Sequence, residues 1–287
     1  MASARRQEKA TLAAVAWRKF KRNKLSLLGA AIVLALVLTA LLAPYISPYD
    51  PNEMHWGKEY LPPCPEFPLG TDELGRCVLS RIIWGARTSL MVGLGAVALI
   101  AAIGVTIGAI SGYFGGWVDE LLMRFTDVIL TIPSLFLIIV IASIFQTRGL
   151  DVIILCIGIV GWPTIARITR SEFLALKEMP YVDAARTMGA SHLRIIFKHI
   201  LINALPPIIV AATFDMAAAI LMEAGLSFLG LGDPMAVSWG QMLSVGHTVL
   251  KHAWWIATFP GIAIFLSVLG FNLLGDGLRD ALDIALR

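Results

Sequence analysis

Long stretches without a single charged side chain alternate with short polar segments along this sequence. Residues 25–49 form the first such run. A helix of that length is about 37 Å long, which exceeds the ~30 Å hydrocarbon core of a bilayer. The run is too long for the apolar region of a cleaved signal peptide, so it predicts a retained first span. Residues 88–118, 128–147, 152–166 and 253–275 are also charge-free, and residues 200–222 are interrupted only by Asp215. The 152–166 run is short for a span, but the Arg167 side chain can snorkel and extend it. Within the second run, Gly104, Gly108 and Gly112 fall at intervals of four. In lipid, such a stripe lets helix backbones approach closely. The pattern predicts an all-α membrane protein with six transmembrane helices.

Six spans place both termini on one side, and the basic residues say which. Of the 23 Lys and Arg, 17 fall in the two terminal segments and the polar segments 114–127 and 167–199; the other 6 fall in the alternate set. The positive-inside rule then puts both termini and the 167–199 segment in the cytoplasm. The expected organisation is a basic N-terminal segment (1–24), a first transmembrane helix (25–49), an extracytoplasmic loop (50–87) rich in proline and aromatic residues, and a five-helix core (88–287). Residues 5–24 carry eight basic side chains with Trp17 and Phe20 among them. They read either as a docking helix or as an interfacial anchor held by anionic lipid.

Composition agrees with this reading. The chain has 287 residues, 57% hydrophobic and 15% charged, with a mean hydropathy of +0.77; soluble domains average about 25% charged. The net charge of +3 is small, and no nucleic-acid partner is expected. The sequence contains no phosphate-binding G-x-x-x-x-G-K-[ST] motif and no G-x-G-x-x-G, H-E-x-x-H or G-x-S-x-G, so any ATP chemistry must come from another chain. Cys64, Cys77 and Cys156 have no metal-ligand spacing and no metal site is expected. Cys64 and Cys77 share the proline-rich loop; a disulfide there would stabilise it by about 3 kcal/mol in the chain-entropy model, and two free thiols are the alternative. An intramembrane serine protease would need a histidine inside a span, and all five histidines fall in loops or at span edges. An ion-coupled secondary transporter would need carboxylates at the midplane, where only Asp215 qualifies.

Between two apolar segments, Asp183-Ala184-Ala185, three residues and then Gly189 resembles the EAA loop of ABC importer permeases. Leu69-Gly-Thr-Asp-Glu-Leu-Gly-Arg-Cys-Val-Leu-Ser-Arg81, Gly85-Ala-Arg-Thr-Ser-Leu90, Leu226-Ser-Phe-Leu-Gly-Leu-Gly232 and Phe271-Asn-Leu-Leu-Gly-Asp-Gly-Leu-Arg-Asp-Ala-Leu-Asp283 resemble, in order, the C-type permeases of dipeptide, oligopeptide and nickel importers. The sequence departs from the family pattern in three places. Asp183 stands where Glu is usual, His199-Ile-Leu-Ile202 lacks the usual proline, and Cys77 stands where Asp is usual.

The resemblance implies a type I importer permease fold in a prokaryotic cytoplasmic (inner) membrane. It implies a homologous B-type permease, two ATPase subunits that bind ATP and Mg, and an extracytoplasmic substrate-binding protein as partners. The chain itself would be non-catalytic and bind no cofactor. Asp183, Ala184, Ala185 and Gly189 would couple it to the ATPases through a short helix within about residues 178–200. The local sequence suits such a helix: Pro180 fits a first turn, Asp183 complements the dipole, and propensity drops at Gly189. Asn203-Ala-Leu-Pro206 leans towards peptide as substrate, while Asp215 keeps nickel open. Three readings of Asp215 stand: a contact for a cationic substrate group in the pathway, a hydrogen bond to the partner permease, or a carboxyl held neutral. Glu223 reads as lying at or beyond the outer edge of the membrane, with a solvated face as the default.

Overall fold

The computed structural model describes residues 12–145 and 149–285. Arg5, Arg6 and Lys9 of the basic segment, and the end of the 128–147 run, lie outside the described residues. Every element is helical: α1 (Leu12–Arg22), α2 (Lys24–Ile46), α3 (Val78–Phe114), α4 (Gly116–Thr131), α5 (Ser134–Ile144), α6 (Leu150–Gly161), α7 (Pro163–Leu176), α8 (Pro180–Thr187), α9 (His192–Arg194), a π-helical turn (Ile195–Ile200) running into α10 (Leu201–Phe228), α11 (Trp239–Thr248) and α12 (Trp255–Ala285). Among the described residues four helices are long and apolar enough to cross a membrane, and six spans result if each bent pair, α4–α5 and α6–α7, counts as one.

The boundaries differ from the charge-free runs for physical reasons. Helix α3 begins ten residues before the run at 88–118, because the helix absorbs two arginines. Arg81 is buried and donates to the Pro51 carbonyl at 3.2 Å, with Asp72 at 3.6 Å, and Arg87 lies over the Trp84 ring at 5.7 Å. The 128–147 run is not one straight helix. Pro133 has no N–H to donate, and the residue before a proline is pushed towards extended backbone. Ile132 is extended, and α4 and α5 meet at 92°. Arg167 forms an ion pair with Asp127 of α4.

Helix α2 starts at Asn23, whose side chain accepts from the N–H groups of Leu25 (3.0 Å) and Ser26 (3.4 Å), an N-cap of the usual kind. Its outward face, including Leu34, Leu38 and Leu41, is bare apolar surface, as lipid contact requires. Helix α1 docks on the end of α12: Phe20 is buried beside Gly277, and Lys19 donates to the Asp280 carbonyl at 2.6 Å. Trp17 stays exposed with Lys21 over its ring at 4.8 Å.

The tightest seam joins α3 to α7, along the glycine stripe anticipated from the sequence. A Cβ on Gly104 would stand 2.8 Å from the Trp162 carbonyl, one on Gly108 2.3 Å from the Ala166 carbonyl, and one on Gly112 2.6 Å from Phe173 Cβ. Buried Ile100, Ile153, Ile165 and Phe173 fill out the core around this seam. A second core, with Trp239, Trp255, Ile256 and Phe271, packs α2, α3 and α10 against α11 and α12.

The loop 47–77 is folded despite its prolines. Phe67 is fully buried, with the rings of Tyr49 and His55 at 5.2 and 5.1 Å. Asp72 accepts from the N–H groups of Leu74 (3.0 Å) and Arg76 (2.9 Å) and pairs with the Arg76 guanidinium at 2.7 Å. Burial, and then the neighbouring Asp72 charge, raise the Glu73 carboxyl above its ordinary value. Trp255 of α12 donates to the Thr71 carbonyl at 3.0 Å, which fastens the loop to the bundle. Cys64 and Cys77 are both free. The Cys64 sulfur accepts from the Phe67 N–H at 3.4 Å, and Cys77 is fully buried at the start of α3.

The seam sets a direct expectation. Gly108→Ala must push apart two backbones and should cost on the order of 1–3 kcal/mol. Gly225→Ala, where no atom lies within 4 Å of the added carbon, should be close to neutral. Thermal unfolding of the purified variants checks this; equal midpoints would mean that the seam does not set stability.

Candidate functional site

The segment singled out by sequence is a two-turn helix on a short tether. Met179 is extended, Pro180 occupies the first turn of α8, and Asp183 lies in that turn with Arg186 donating to it at 3.1 Å. The helix ends in a Schellman motif: Gly189 N–H donates to the Arg186 carbonyl and Ala190 N–H to the Ala185 carbonyl, each at 3.0 Å. Gly189 sits at φ +78° with open space around it. The left-handed backbone, not a close neighbour within this chain, is what requires glycine there.

The helix has an anchored and a free side. Val182 is fully buried and Ala185 packs on the core, whereas Asp183, Ala184 and Gly189 are exposed. Met188 is 87% exposed, an unusual amount for an apolar side chain on a segment this well ordered by hydrogen bonds. Of the four residues expected at the site, the structure thus brings three onto one outward surface and uses the fourth, Ala185, as an anchor.

The surroundings of α8 are braced. Lys177, just before it, donates to the Gly112 carbonyl at the end of α3 at 3.0 Å. His192, just after it, hydrogen-bonds the Tyr113 hydroxyl at 2.7 Å. Arg170 of α7 grips Asp119 of α4 through two bonds of 2.5 and 2.6 Å, and Ser111 donates to the same carboxylate. Asn203 of α10 donates to the Tyr181 hydroxyl at 3.2 Å. Helix α8 is therefore held to α10 through Tyr181 and to α3 through its two flanks.

Asp215 lies halfway along α10 and lines a cavity of about 660 Å³ between α7, α10 and α12. Its Oδ2 is buried and has no hydrogen-bond partner among the described residues. Pro206 and Pro207 line the same cavity and interrupt the helix ladder more than two turns nearer α8.

Residues 104–287 match the family described as the binding-protein-dependent transport system inner membrane component. The chain belongs to this permease family. Residues 11–63 match a second description, the N-terminal TM domain of oligopeptide transport permease C. The permease is 42% identical over 278 residues to the di/tripeptide transport system permease protein DppC of Pseudomonas aeruginosa, covering 94% of this chain and 91% of that one. It is 42% identical over 270 residues to the oligopeptide transport system permease protein OppC of Bacillus subtilis, covering 94% and 88%. Among solved structures, the MetNI methionine ABC transporter in inward-facing conformations matches with a TM-score of 0.57 at 21% identity, covering 70% of this chain and 96% of that one. An amino acid ABC transporter matches with a TM-score of 0.53 at 16% identity, over 68% and 91%. These two likenesses bear on the fold, which is that of a type I importer permease.

Sequence reasoning misplaced one acidic residue of this permease. Glu223 is not at a solvated edge; it is fully buried in α10. Three hydroxyls converge on it, from Ser238 (2.7 Å) and Ser227 (2.8 Å) on one oxygen and from Ser89 of α3 (3.4 Å) on the other. The spacing of Glu223 and Ser227 by four was a readable signal for that contact; Ser89 and Ser238 could be found only in three dimensions. Glu223→Gln keeps an acceptor for these donors and should be tolerated, whereas Glu223→Leu orphans up to three of them at about 1–3 kcal/mol each. The Leu variant should lose several degrees of thermal midpoint relative to the Gln variant. Equal loss in both would mean that the charge matters rather than the hydrogen bonds.

Proposed function

We propose that this chain forms one half of the translocation pathway of an ATP-driven importer of di- and oligopeptides, beside a homologous B-type permease. Two ATPase subunits that bind ATP and Mg dock on the α8 side, which is the cytoplasmic side with both termini. A substrate-binding protein delivers peptide to the side bearing the loop 47–77. Support for peptide as the substrate class comes from the relatives, which are named as di/tripeptide, dipeptide and oligopeptide permeases. Support for the orientation comes from the distribution of basic residues.

The observation that carries the coupling role is the two-sided character of α8. Its outer surface of Asp183, Ala184, Met188 and Gly189 is exposed among the described residues, while its inner side and both flanks are bonded to α3 and α10. A short helix held in this way moves with the bundle, so a push from an ATPase displaces α3, α7 and α10 together. Asp215 then faces the pathway lined by α7, α10 and α12.

Gly189→Leu tests the coupling. Leu at positive φ is strained, so the Schellman turn opens and the outer surface shifts. In vesicles holding the complete complex and its binding protein, peptide uptake should fall at least tenfold while ATP hydrolysis persists. Gly189→Asn, which tolerates left-handed backbone, should recover a substantial part of the uptake. Normal uptake by the Leu variant would remove α8 from the coupling path.

A further inference from the structure

The permease pairs several charges within the chain: Asp119 with Arg170, Asp127 with Arg167, Asp72 with Arg76 and Arg81. Three charged side chains break this habit, and all three line one cavity. Asp215 of α10, Glu172 of α7 and Arg279 of α12 surround the space of about 660 Å³, with Phe214, Val210 and Ile168 supplying apolar walls. Among the described residues none of the three has an ion-pair or hydrogen-bond partner, and the Asp215 Oδ2 is buried as well. The cost falls on Asp215, because Glu172 is half-buried and Arg279 exposed: an unpaired charge at its depth costs several kcal/mol unless a cationic group enters.

The signs and positions define what that is. Asp215 sits halfway along α10, so it is the deep charge. Glu172 is four residues from the end of α7, and Arg279 lies on the last turns of α12, so both sit towards the α8 end. An entering molecule needs a cationic group to meet Asp215 and an anionic group to meet Arg279, separated by a short partly apolar body. A free peptide is such a molecule: an ammonium at one end, a carboxylate at the other, side chains between. The volume falls in the ~300–1,000 Å³ range of small-molecule sites. The two carboxylates outnumber the one guanidinium, which disfavours anionic cargo.

We infer that this cavity is a peptide site within the permease itself, reading both termini, with Asp215 taking the amino end and Arg279 the carboxyl end. The inference rests on the peptide-importer reading above and adds selectivity that does not come from the binding protein.

The test therefore leaves the binding protein out. Calorimetry on the purified nucleotide-free complex of both permeases and ATPases would compare a free dipeptide with its N-acetylated and its C-amidated forms. The free dipeptide should bind, and each capped form should bind about tenfold more weakly, since a charge-assisted bond is worth roughly 1.4 kcal/mol more than a neutral one. In Arg279→Gln the amide should lose its disadvantage while the N-acetyl form keeps its own. In Asp215→Asn the reverse should hold. Absence of dipeptide binding, or equal binding of all three forms by the unmodified complex, overturns the site even if both variants fail to assemble. Peptide uptake with the binding protein present, measured beside it, separates the two claims: uptake without this binding sinks the site alone, and no uptake of any peptide sinks the importer reading.

Discussion

Close approach of α3 to α7 is the constraint on which the rest of the permease depends. Each position of the Gly104, Gly108, Gly112 stripe would place a side-chain carbon within 2.9 Å of the opposing helix. Bilayer lipid supplies no hydrophobic drive for two apolar helices to associate, so packing and hydrogen bonds must do it. Only bare backbone allows the separation seen here. Because α7 leads through Lys177 straight into α8, the same seam fixes where α8 emerges.

Polar contacts then complete what packing begins. The Lys177 bond to the end of α3 and the Tyr113–His192 bond lie within a few residues of α8, and the Asp119–Arg170 pair ties α4 to the α7 that leads into it. They make α8 the outward part of a stiff frame rather than a loose connector. At the other end of the bundle, the Glu223 cradle and the Trp255–Thr71 bond fasten α10 and α12 to the helix and loop beside them. A displacement at one end therefore has a continuous set of bonded elements through which to reach the other. The cavity around Asp215 lies between the same helices, α7, α10 and α12.

Much of this was legible in the sequence, and particular residues show where legibility stopped. Charge-free runs located the spans, the four-residue glycine spacing located the seam, and Pro180, Asp183 and Gly189 bounded α8. Boundaries failed where a charge is paired in three dimensions. Arg81 and Arg87 hid the first turns of α3 from a search for uncharged runs, because Arg81 finds Asp72 and the Pro51 carbonyl in the preceding loop and Arg87 lies over the Trp84 ring. Pro133 was present to be read, but a proline in a span bends some helices and only interrupts others; the size of the turn, 92°, is seen only in the structure. Glu223 was misplaced because burial of a carboxylate depends on hydroxyls brought from three separate segments. Glu172 and Arg279 carried no local signal at all, since their importance lies in sharing a cavity with Asp215.

The central claim is that the outward surface of α8 is where an ATPase meets this permease. A photoreactive side chain at Met188 tests it most directly, because that position is exposed and takes no part in the Schellman turn through its side chain. In the complete complex, irradiation should yield a covalent adduct between this chain and an ATPase subunit, with a yield that changes when ATP is bound. Adducts only with lipid or with the partner permease, in both the ATP-bound and the nucleotide-free complex, would contradict the account.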